Sequence, residues 1–185
     1  MQKKKGQNGS WLSTEKLTIL ALLTALQVVL GKIIQINLVT KEFNLGFLPV
    51  AVAGAVMGPV AGAVVGALGD LIGSLLFPTG AYFPGFTLTS ALVGLAFGLA
   101  LHAPKASWLR ALIAAVSGAV INLLLNSLWL SMLYGSKTYW GWIVARAGTY
   151  PVEAALQTVV IFVALAALSR VKLPASLRKG GKESR

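Results

Sequence analysis

Three charged side chains occur in stretches of the chain that are otherwise almost entirely apolar. Asp70 is the single charged residue between Leu45 and Leu101, and Arg146 and Glu153 stand in a second apolar stretch. A charge at membrane depth is costly, and it commonly faces the protein interior at a functional site. These residues therefore predict a polar binding site inside a membrane protein.

Polar residues at helical spacing accompany these charges. Residues at i, i+4 and i+7 share one helix face, and three such stripes occur: Asp70-Ser74-Phe77, Asn122-Asn126-Trp129 and Arg146-Tyr150-Glu153-Gln157. At a rise of 1.5 Å per residue, Asp70 and Asn126 lie roughly 10–12 Å below the outer ends of their helices, and Glu153 lies about 10 Å deeper than Arg146. We expect the three stripes to meet in a cavity that opens to the outside.

Aromatic and basic residues near the predicted outer loops could complete this site. Flat rings stack on a flat ligand as readily as they pack on each other, so both roles stay open for them. A loop cation could assist Arg146 in binding an anion. The residues concerned are the aromatic Tyr82, Phe83, Phe86 and Trp129 and the cations Lys41 and Lys137.

The same charges also have structural explanations. Arg146 and Glu153 could pair with each other along one helix, and polar contacts commonly join membrane helices. Asp70 could cap a backbone amide in a broken helix. The convergence of three stripes favours a binding site, whereas Asp70 alone fits either role.

Composition excludes several classes of protein. Of the 185 residues 56% are hydrophobic and 11% are charged, against about 25% charged in soluble domains. The net charge of +11 arises mostly from the tails and one short loop, which does not indicate a nucleic-acid-binding surface. One histidine, no cysteine and no phosphate-binding loop leave no nucleophile–base relay, metal cluster or ATPase motif. We therefore expect that the chain is not an enzyme and binds no cofactor. We also expect that a partner protein supplies the energy for its function.

Apolar stretches long enough to cross a bilayer need about 20 residues each. The predicted spans are 16–36, 47–57, 60–77, 85–102, 108–134 and 142–169. Gly58-Pro59 separates the second span from the third, because proline ends helices and glycine permits the reversal. A single helix over 47–77 is the alternative, and it would leave five spans.

The distribution of basic residues favours six spans. Six spans place twelve of the sixteen Lys and Arg residues on one side, and only Lys32, Lys41, Lys137 and Arg146 on the other. The basic side is cytoplasmic by the positive-inside rule. The sequence thus predicts an all-α integral membrane protein with six transmembrane helices and both termini cytoplasmic. Its domains are a basic tail (1–15), a membrane domain (16–170) and a second basic tail (171–185).

Four segments resemble a known family. The chain is similar to the S-components, the substrate-binding subunits of energy-coupling factor (ECF) vitamin transporters, and within them to the folate-specific type. Asn126, Trp129, Arg146 and Glu153 strengthen the resemblance to that type. The segments that carry it are Phe47–Ala51, Met57–Pro59, Gly66–Gly73 and Phe77–Leu88.

The resemblance implies a vitamin-binding protein of the bacterial plasma membrane. It implies docking on a transmembrane scaffold (T) subunit that two ATPase subunits drive, and reorientation of the whole subunit in the membrane. Ala21 and Ala25 match the docking motif of the family. Another vitamin such as riboflavin, a stand-alone ion- or proton-coupled transporter, and a structural adaptor without a ligand are the alternatives.

Folate chemistry suggests roles for the candidate residues. A pterin has adjacent amino and ring N–H donors, which suit a carboxylate, and the glutamate tail is anionic. We expect Glu153 or Asp70, with Asn126, to bind the pterin, and Arg146, assisted by Lys41 or Lys137, to bind the tail. The four aromatic residues would stack on the rings.

Overall fold

The fold is a bundle of helices with one small β-hairpin. The computed structural model describes residues 14–33, 35–38, 41–78, 80, 82–103, 107–135 and 137–170. Most of the predicted tail 1–15 and all of the tail 171–185 lie outside these residues. The helices are α1 (Thr14–Val28), α2 (Phe47–Met57), α3 (Pro59–Leu76), α4 (Pro84–Leu101), α5 (Trp108–Ile121), α6 (Ser127–Tyr134), α7 (Tyr139–Ala147) and α8 (Tyr150–Arg170).

Five helical segments are long and apolar enough to cross a membrane, by length and composition. They are Thr14–Lys32, Pro59–Leu76, Pro84–Leu101, Trp108–Tyr134 and Tyr150–Arg170. The first and fourth include π-helical turns, Val29–Ile33 after α1 and Asn122–Asn126 between α5 and α6. The apolar helix α2 is shorter, with 11 residues. The described chain is therefore built as a multi-pass membrane protein.

The described residues have the helical membrane architecture that the sequence predicts, with one small β-hairpin that was not predicted. Residues Gln35–Leu38 and Lys41–Asn44 form antiparallel strands β1 and β2, with Gln35 paired to Asn44. The first predicted span, 16–36, therefore ends as a helix at Ile33 and continues into a strand. The connection between the first and second predicted spans is largely this hairpin, in which a short two-stranded ladder pairs backbone groups outside the helices.

A tight corner at Gly58 separates α2 from α3. Gly58 has φ 97°, a conformation that favours glycine, and Pro59 follows as the first residue of α3, where its missing N–H does no harm. Gly54 and Gly62, each four residues from the corner, lie against each other. The two helices are thus antiparallel, which excludes the alternative of one helix over 47–77.

Glycines bring α3 and α4 into backbone contact. A side chain added at Gly62 would overlap the carbonyl of Gly94, and one added at Gly66 would overlap the carbonyl of Ser90. The helices fold back on each other about the connection 77–83. Small residues permit such close approach between membrane helices, so α3 and α4 form a rigid pair.

The packed core and a cavity occupy opposite halves of the bundle. Phe97 of α4 and Ile161 of α8 are almost fully buried in the core, close to the end that holds Gly58. The other end holds the hairpin and the connections 77–83 and 135–138, and it is called the loop end below. Val50, Val93 and Phe97 belong to the core and also line the cavity, so the core forms the floor of the cavity.

The predicted span 142–169 is two helices rather than one. Residues Gly148 and Thr149 form a turn between α7 and α8. Pro151 cannot donate a backbone hydrogen bond and disfavours a helical conformation in the residue before it. The depth of Glu153 below Arg146, worked out for one continuous helix, therefore does not apply.

Candidate functional site

A cavity of about 690 Å³ lies at the loop end of the bundle. This volume falls within the range of small-molecule sites in proteins. Residues from all of the helices except α5, from the π turns and from β2 contribute to its lining. The polar residues among them are Gln27, Lys32, Asn44, Asp70, Ser74, Tyr82, Ser90, Asn122, Asn126, Tyr134, Trp142, Arg146, Tyr150, Glu153 and Gln157.

Hydroxyl groups of α4 hold the Asp70 carboxylate in the wall of the cavity. Thr87 Oγ1 donates to Asp70 Oδ2 at 2.8 Å, and the Tyr82 hydroxyl lies 3.0 Å from Thr87 Oγ1. Ser90 gives a further side-chain hydrogen bond, and the Lys32 charge acts on the same carboxylate. Because α3 continues unbroken through Asp70, this residue does not cap a broken helix. It is part of a polar contact between α3, α4 and the end of α1.

A chain of side-chain amides runs along α5 and its π turn. Asn122 Nδ2 donates to the carbonyl of Gly118 at 3.0 Å, and Asn126 Nδ2 donates to Asn122 Oδ1 at 3.0 Å. Asn126 Oδ1 is buried and has no hydrogen-bond partner in the described part of the chain. Both asparagines line the cavity. Single π turns inside α-helices are frequent at functional sites, and this one places the two amides beside the ligand space.

A carboxylate and an amide of α8 form the neighbouring wall. Gln157 Nε2 donates to Glu153 Oε1 at 3.0 Å. Both residues line the cavity, and Gln157 is buried. The Glu153 carboxylate is thereby oriented by Gln157, which lies one turn further along the same helix, as expected for side chains at i and i+4.

The α7 helix presents a tryptophan and an arginine on one face. Trp142 and Arg146 are one turn apart and both line the cavity. The Arg146 guanidinium carbon lies 5.6 Å from the centre of the Tyr150 ring, and Lys137 Nζ lies 5.3 Å from the centre of the Trp142 ring. Trp142 Nε1 and Arg146 NH1 are buried, and no described residue accepts a hydrogen bond from them. Two unused donors therefore face the ligand space or its border.

Two residues of the first span complete the wall opposite. Gln27 Nε2 lies 3.4 Å from the carbonyl of Gly66, and a side chain at Gly69 would overlap the Gln27 amide. The stem of Lys32 passes over Gly73, where an added Cβ would meet it at 3.3 Å. The glycines of α3 thus make room for polar side chains of α1.

The aromatic residues of the connection 77–83 and its surroundings divide into two groups. Tyr82 and Phe86 line the cavity, whereas Phe83 and Trp129 do not. The rings of Phe83 and Trp129 lie 5.5 Å apart and pack around Gly85. Trp129 Nε1 also donates to Thr89 Oγ1 at 3.0 Å. These contacts give Phe83 and Trp129 a packing role at the start of α4.

Six of the ten predicted substrate-binding residues line the cavity. The cavity does not include Lys137, which lies over the Trp142 ring, and the side chain of Lys41 lies outside the described residues. Ala21 and Ala25 are exposed on α1, as a docking surface requires. The six lining residues are Asp70, Tyr82, Phe86, Asn126, Arg146 and Glu153.

Ten of the fifteen polar lining residues were absent from the predicted substrate-binding set, among them Gln27, Lys32 and Trp142. Gln27 is a polar residue within the first span, Lys32 is a charge near its end, and Trp142 precedes Arg146 by one helical turn. The sequence contains a signal for each of them. Lys32 is one of the four cations on the less basic side of the predicted topology, and a tryptophan such as Trp142 is commonly explained as an anchor at the membrane interface.

The lining combines two cations with two carboxylates. Lys32 and Arg146 are the cations, and Asp70 and Glu153 the carboxylates. Such a set can bind a ligand that carries both N–H donors and an anionic group. Within the described residues, no three His, Asp or Glu side chains cluster as metal ligands would.

Comparison with known proteins points to one family. The family described as ECF transporter, substrate-specific component, matches residues 15–171. A folate transporter FolT from Clostridium novyi (strain NT) is 30% identical over 167 residues, which are 88% of this chain and 95% of that protein. A folate transporter FolT from Leuconostoc mesenteroides subsp. mesenteroides is 33% identical over 131 residues, 70% of each chain.

Solved structures share the fold. A crystal structure of FolT bound with folic acid has a TM-score of 0.77 and 28% identity, and the match covers 86% of this chain and 97% of that one. The S-component for biotin from an ECF-type ABC transporter has a TM-score of 0.65 at 14% identity, covering 86% and 96% of the two chains, and it supports the fold alone. With a family match over nearly the whole described region, this chain belongs to the substrate-specific components of ECF transporters, a family of transport proteins rather than enzymes.

Proposed function

We propose that this chain is the folate-binding subunit of an ECF-type importer. The observation that carries the proposal is the cavity of about 690 Å³, whose wall contains both carboxylates and cations. Folate has the matching composition, with N–H donors on its pterin and carboxylates on its glutamate tail. The FolT relatives support this choice among vitamins.

The arrangement of the charged residues favours one orientation of folate. Glu153 and Gln157 of α8 and Asn126 of the π turn all line the cavity. A carboxylate beside amides suits the amino and ring N–H groups of a pterin. Arg146 belongs to α7, next to the connection at the loop end, and suits the glutamate tail there. Lys32 replaces Lys41 and Lys137 as the cation that assists it, because Lys32 lines the cavity.

Energy coupling is the second part of the proposal. The chain would dock through the exposed α1 surface at Ala21 and Ala25 on a scaffold subunit that two ATPases drive. Small exposed residues on a membrane helix allow close approach of another helix. The ligand would enter from outside, and the subunit would release it inside after reorientation in the membrane.

The same proposal includes six crossings with both termini in the cytoplasm. The chain reverses direction at Gly58 after α2, so the short helix α2 counts as a crossing together with the five long segments. The sequence contains no cysteine, so single cysteines can report topology. A Ser169→Cys thiol should be labelled only from inside and a Trp140→Cys thiol only from outside. Labelling of both from the same side would contradict this topology.

Ligand identity can be tested on the purified chain in detergent. We expect folate to raise the unfolding temperature, and riboflavin, thiamine, biotin and pantothenate to leave it unchanged. At a ligand concentration 100 times Kd, binding stabilises the folded state by about 2.7 kcal/mol. Stabilisation by another vitamin alone would reassign the substrate, and stabilisation by none would support the structural adaptor.

Coupling requires a reconstituted complex. Folate should enter liposomes only when the chain, the scaffold and the ATPases are present together with ATP. Uptake by this chain alone, driven by an ion or proton gradient, would instead support a stand-alone transporter.

A further inference from the structure

The unpaired polar atoms of the cavity differ in kind between its walls. Gln27 Oε1 on α1 and Asn126 Oδ1 on the π turn are buried, and no described residue donates to them. Trp142 Nε1 and Arg146 NH1 on α7 are buried and likewise lack a described partner. An amide oxygen can only accept a hydrogen bond, whereas indole and guanidinium nitrogens can only donate one. Two acceptors and two donors therefore stay available to a ligand.

The orientation of the amides follows from the groups that they face. The Gln27 amide lies against the carbonyl of Gly66, and the Asn122 amide lies against the carbonyl of Gly118. A backbone carbonyl cannot donate, so each amide must place its nitrogen there. The Asn122 oxygen then accepts a hydrogen bond from Asn126, and the Asn126 oxygen has no hydrogen-bond partner among the described residues. Turning any of these amides would bring two oxygen atoms together.

The α3 helix fixes the position of the Gln27 amide. Gly69 has no side chain, and an added Cβ would overlap the Gln27 amide group. The hydrogen bond to Gly66, one turn away, holds the other end of the same amide. Gly69 of α3 thus provides the space for the Gln27 side chain of α1, and the Gly66 carbonyl of α3 provides its hydrogen-bond partner.

The α7 helix places its two donors on one face. Trp142 and Arg146 are four residues apart, and side chains at this spacing are neighbours on a helix. A carboxylate has two oxygen atoms and can accept from both donors at once. Trp142 supplies a neutral donor and Arg146 a charged one, so the pair is suited to binding an anion. An N–H group of a ligand would find no hydrogen-bond acceptor in either of them.

We propose that Gln27 and Trp142 determine the hydrogen-bond polarity of this site. Gln27, with Asn126, accepts from N–H groups of the heterocycle, and Trp142, with Arg146, donates to a carboxylate of the tail. The inference rests on the proposed function, because folate has a donor edge at one end and carboxylates at the other. A ligand in the reverse orientation would set acceptors against acceptors and donors against donors, which leaves buried groups unpaired.

The acceptors Gln27 and Asn126 can be tested with a ligand that lacks one hydrogen-bond donor. Isothermal titration calorimetry would compare folate with its 2-desamino-2-methyl analogue in the original chain, Gln27→Met and Asn126→Leu. We expect the affinity ratio of folate to the analogue to fall about tenfold in Gln27→Met, since the amino group has lost its acceptor. Leu26→Met, on the exposed neighbouring position, should leave the ratio unchanged. An unchanged ratio in Gln27→Met would overturn the proposal for Gln27, and a fall in Asn126→Leu alone would assign the acceptor to Asn126 instead.

The donors Trp142 and Arg146 of α7 can be tested by comparing folate with a ligand that lacks the tail. Trp142→Phe removes the N–H group and keeps a ring beside Lys137, and Trp140→Phe is the matched control because Trp140 is 70% exposed. Trp142→Phe should weaken folate binding about tenfold and leave the binding of 6-methylpterin, which has no carboxylate, unaffected. Equal losses with both ligands would overturn the assignment. Failure of the original chain to bind folate would overturn the proposed function as well, whereas folate binding with unchanged ratios would overturn only the polarity.

Discussion

Replacing Arg146 by methionine separates ligand binding from stability. Arg146 NH1 is buried and has no hydrogen-bond partner among the described residues, so the loss of this nitrogen leaves no acceptor unpaired. Methionine keeps an apolar stem beside the buried Tyr150 ring and loses the cation–π contact, which contributes about 0.5–1 kcal/mol at exposed sites and about 2 kcal/mol when desolvated. The loss of this contact should therefore lower the stability of the ligand-free protein by about 2 kcal/mol at most.

Folate binding should respond much more strongly to the same change. A hydrogen bond to a charged group contributes about 1.5–3 kcal/mol, and 1.36 kcal/mol corresponds to a factor of ten. Arg146→Met should thus weaken folate binding by about 10- to 150-fold in calorimetry. It should leave the binding of 6-methylpterin unchanged, because this ligand has no carboxylate.

Arg110→Met is the matched control for this experiment. Arg110 is exposed on α5, at the end of the bundle opposite the cavity. The control should change neither affinity. Undiminished folate affinity in Arg146→Met, together with a large fall in the ligand-free unfolding temperature, would refute the assignment and support a purely structural arginine.

Three further predictions concern the glycines of α3 and the exposed face of α1. Gly69→Ala should displace the Gln27 amide and weaken folate binding severalfold, but it should add no further loss in a Gln27→Ala background, as a calorimetric double-mutant cycle would show. Gly62→Ala should lower the thermal stability by several kcal/mol or prevent folding, because its Cβ would meet the rigid backbone of Gly94; a stable variant would contradict the backbone contact. Ala25→Leu should leave folate affinity unchanged and reduce co-purification with the scaffold subunit; unaltered co-purification would place docking elsewhere.

The sequence was informative wherever one residue decides the local structure. The turn at Gly58-Pro59 was predicted because glycine and proline there permit one backbone path and exclude others. The polar residues Asp70, Asn126 and Glu153 were expected in one cavity, since burial in an apolar environment leaves such groups few alternatives. All three line the cavity in the structure.

The remaining features depend on contacts between distant parts of the chain. Gln27 lines the site because Gly69, on another helix, leaves space for its amide, and no pattern within one helix shows this. The hairpin of β1 and β2 pairs only four residues of each strand. Polar and apolar residues alternate in β1 but not in β2, and four alternating residues directly after an apolar span are a weak signal of a strand. Gly148 and Pro151 mark the break before α8, but the apolar stretch around them is long enough to predict one continuous helix.

The two π turns have a consequence for how the site can vary. Each π turn contains one residue more per hydrogen-bonded ring than an α-helical turn, and the turns at Val29–Ile33 and Asn122–Asn126 both contribute cavity residues. Removing one lipid-exposed residue such as Leu124 would let that turn close into α-helix while the flanking helices keep their register. The distance between Asn122 and Asn126 would then change without any substitution in the lining. In this scaffold, insertion or deletion of single residues is a route to altered ligand choice alongside exchange of side chains.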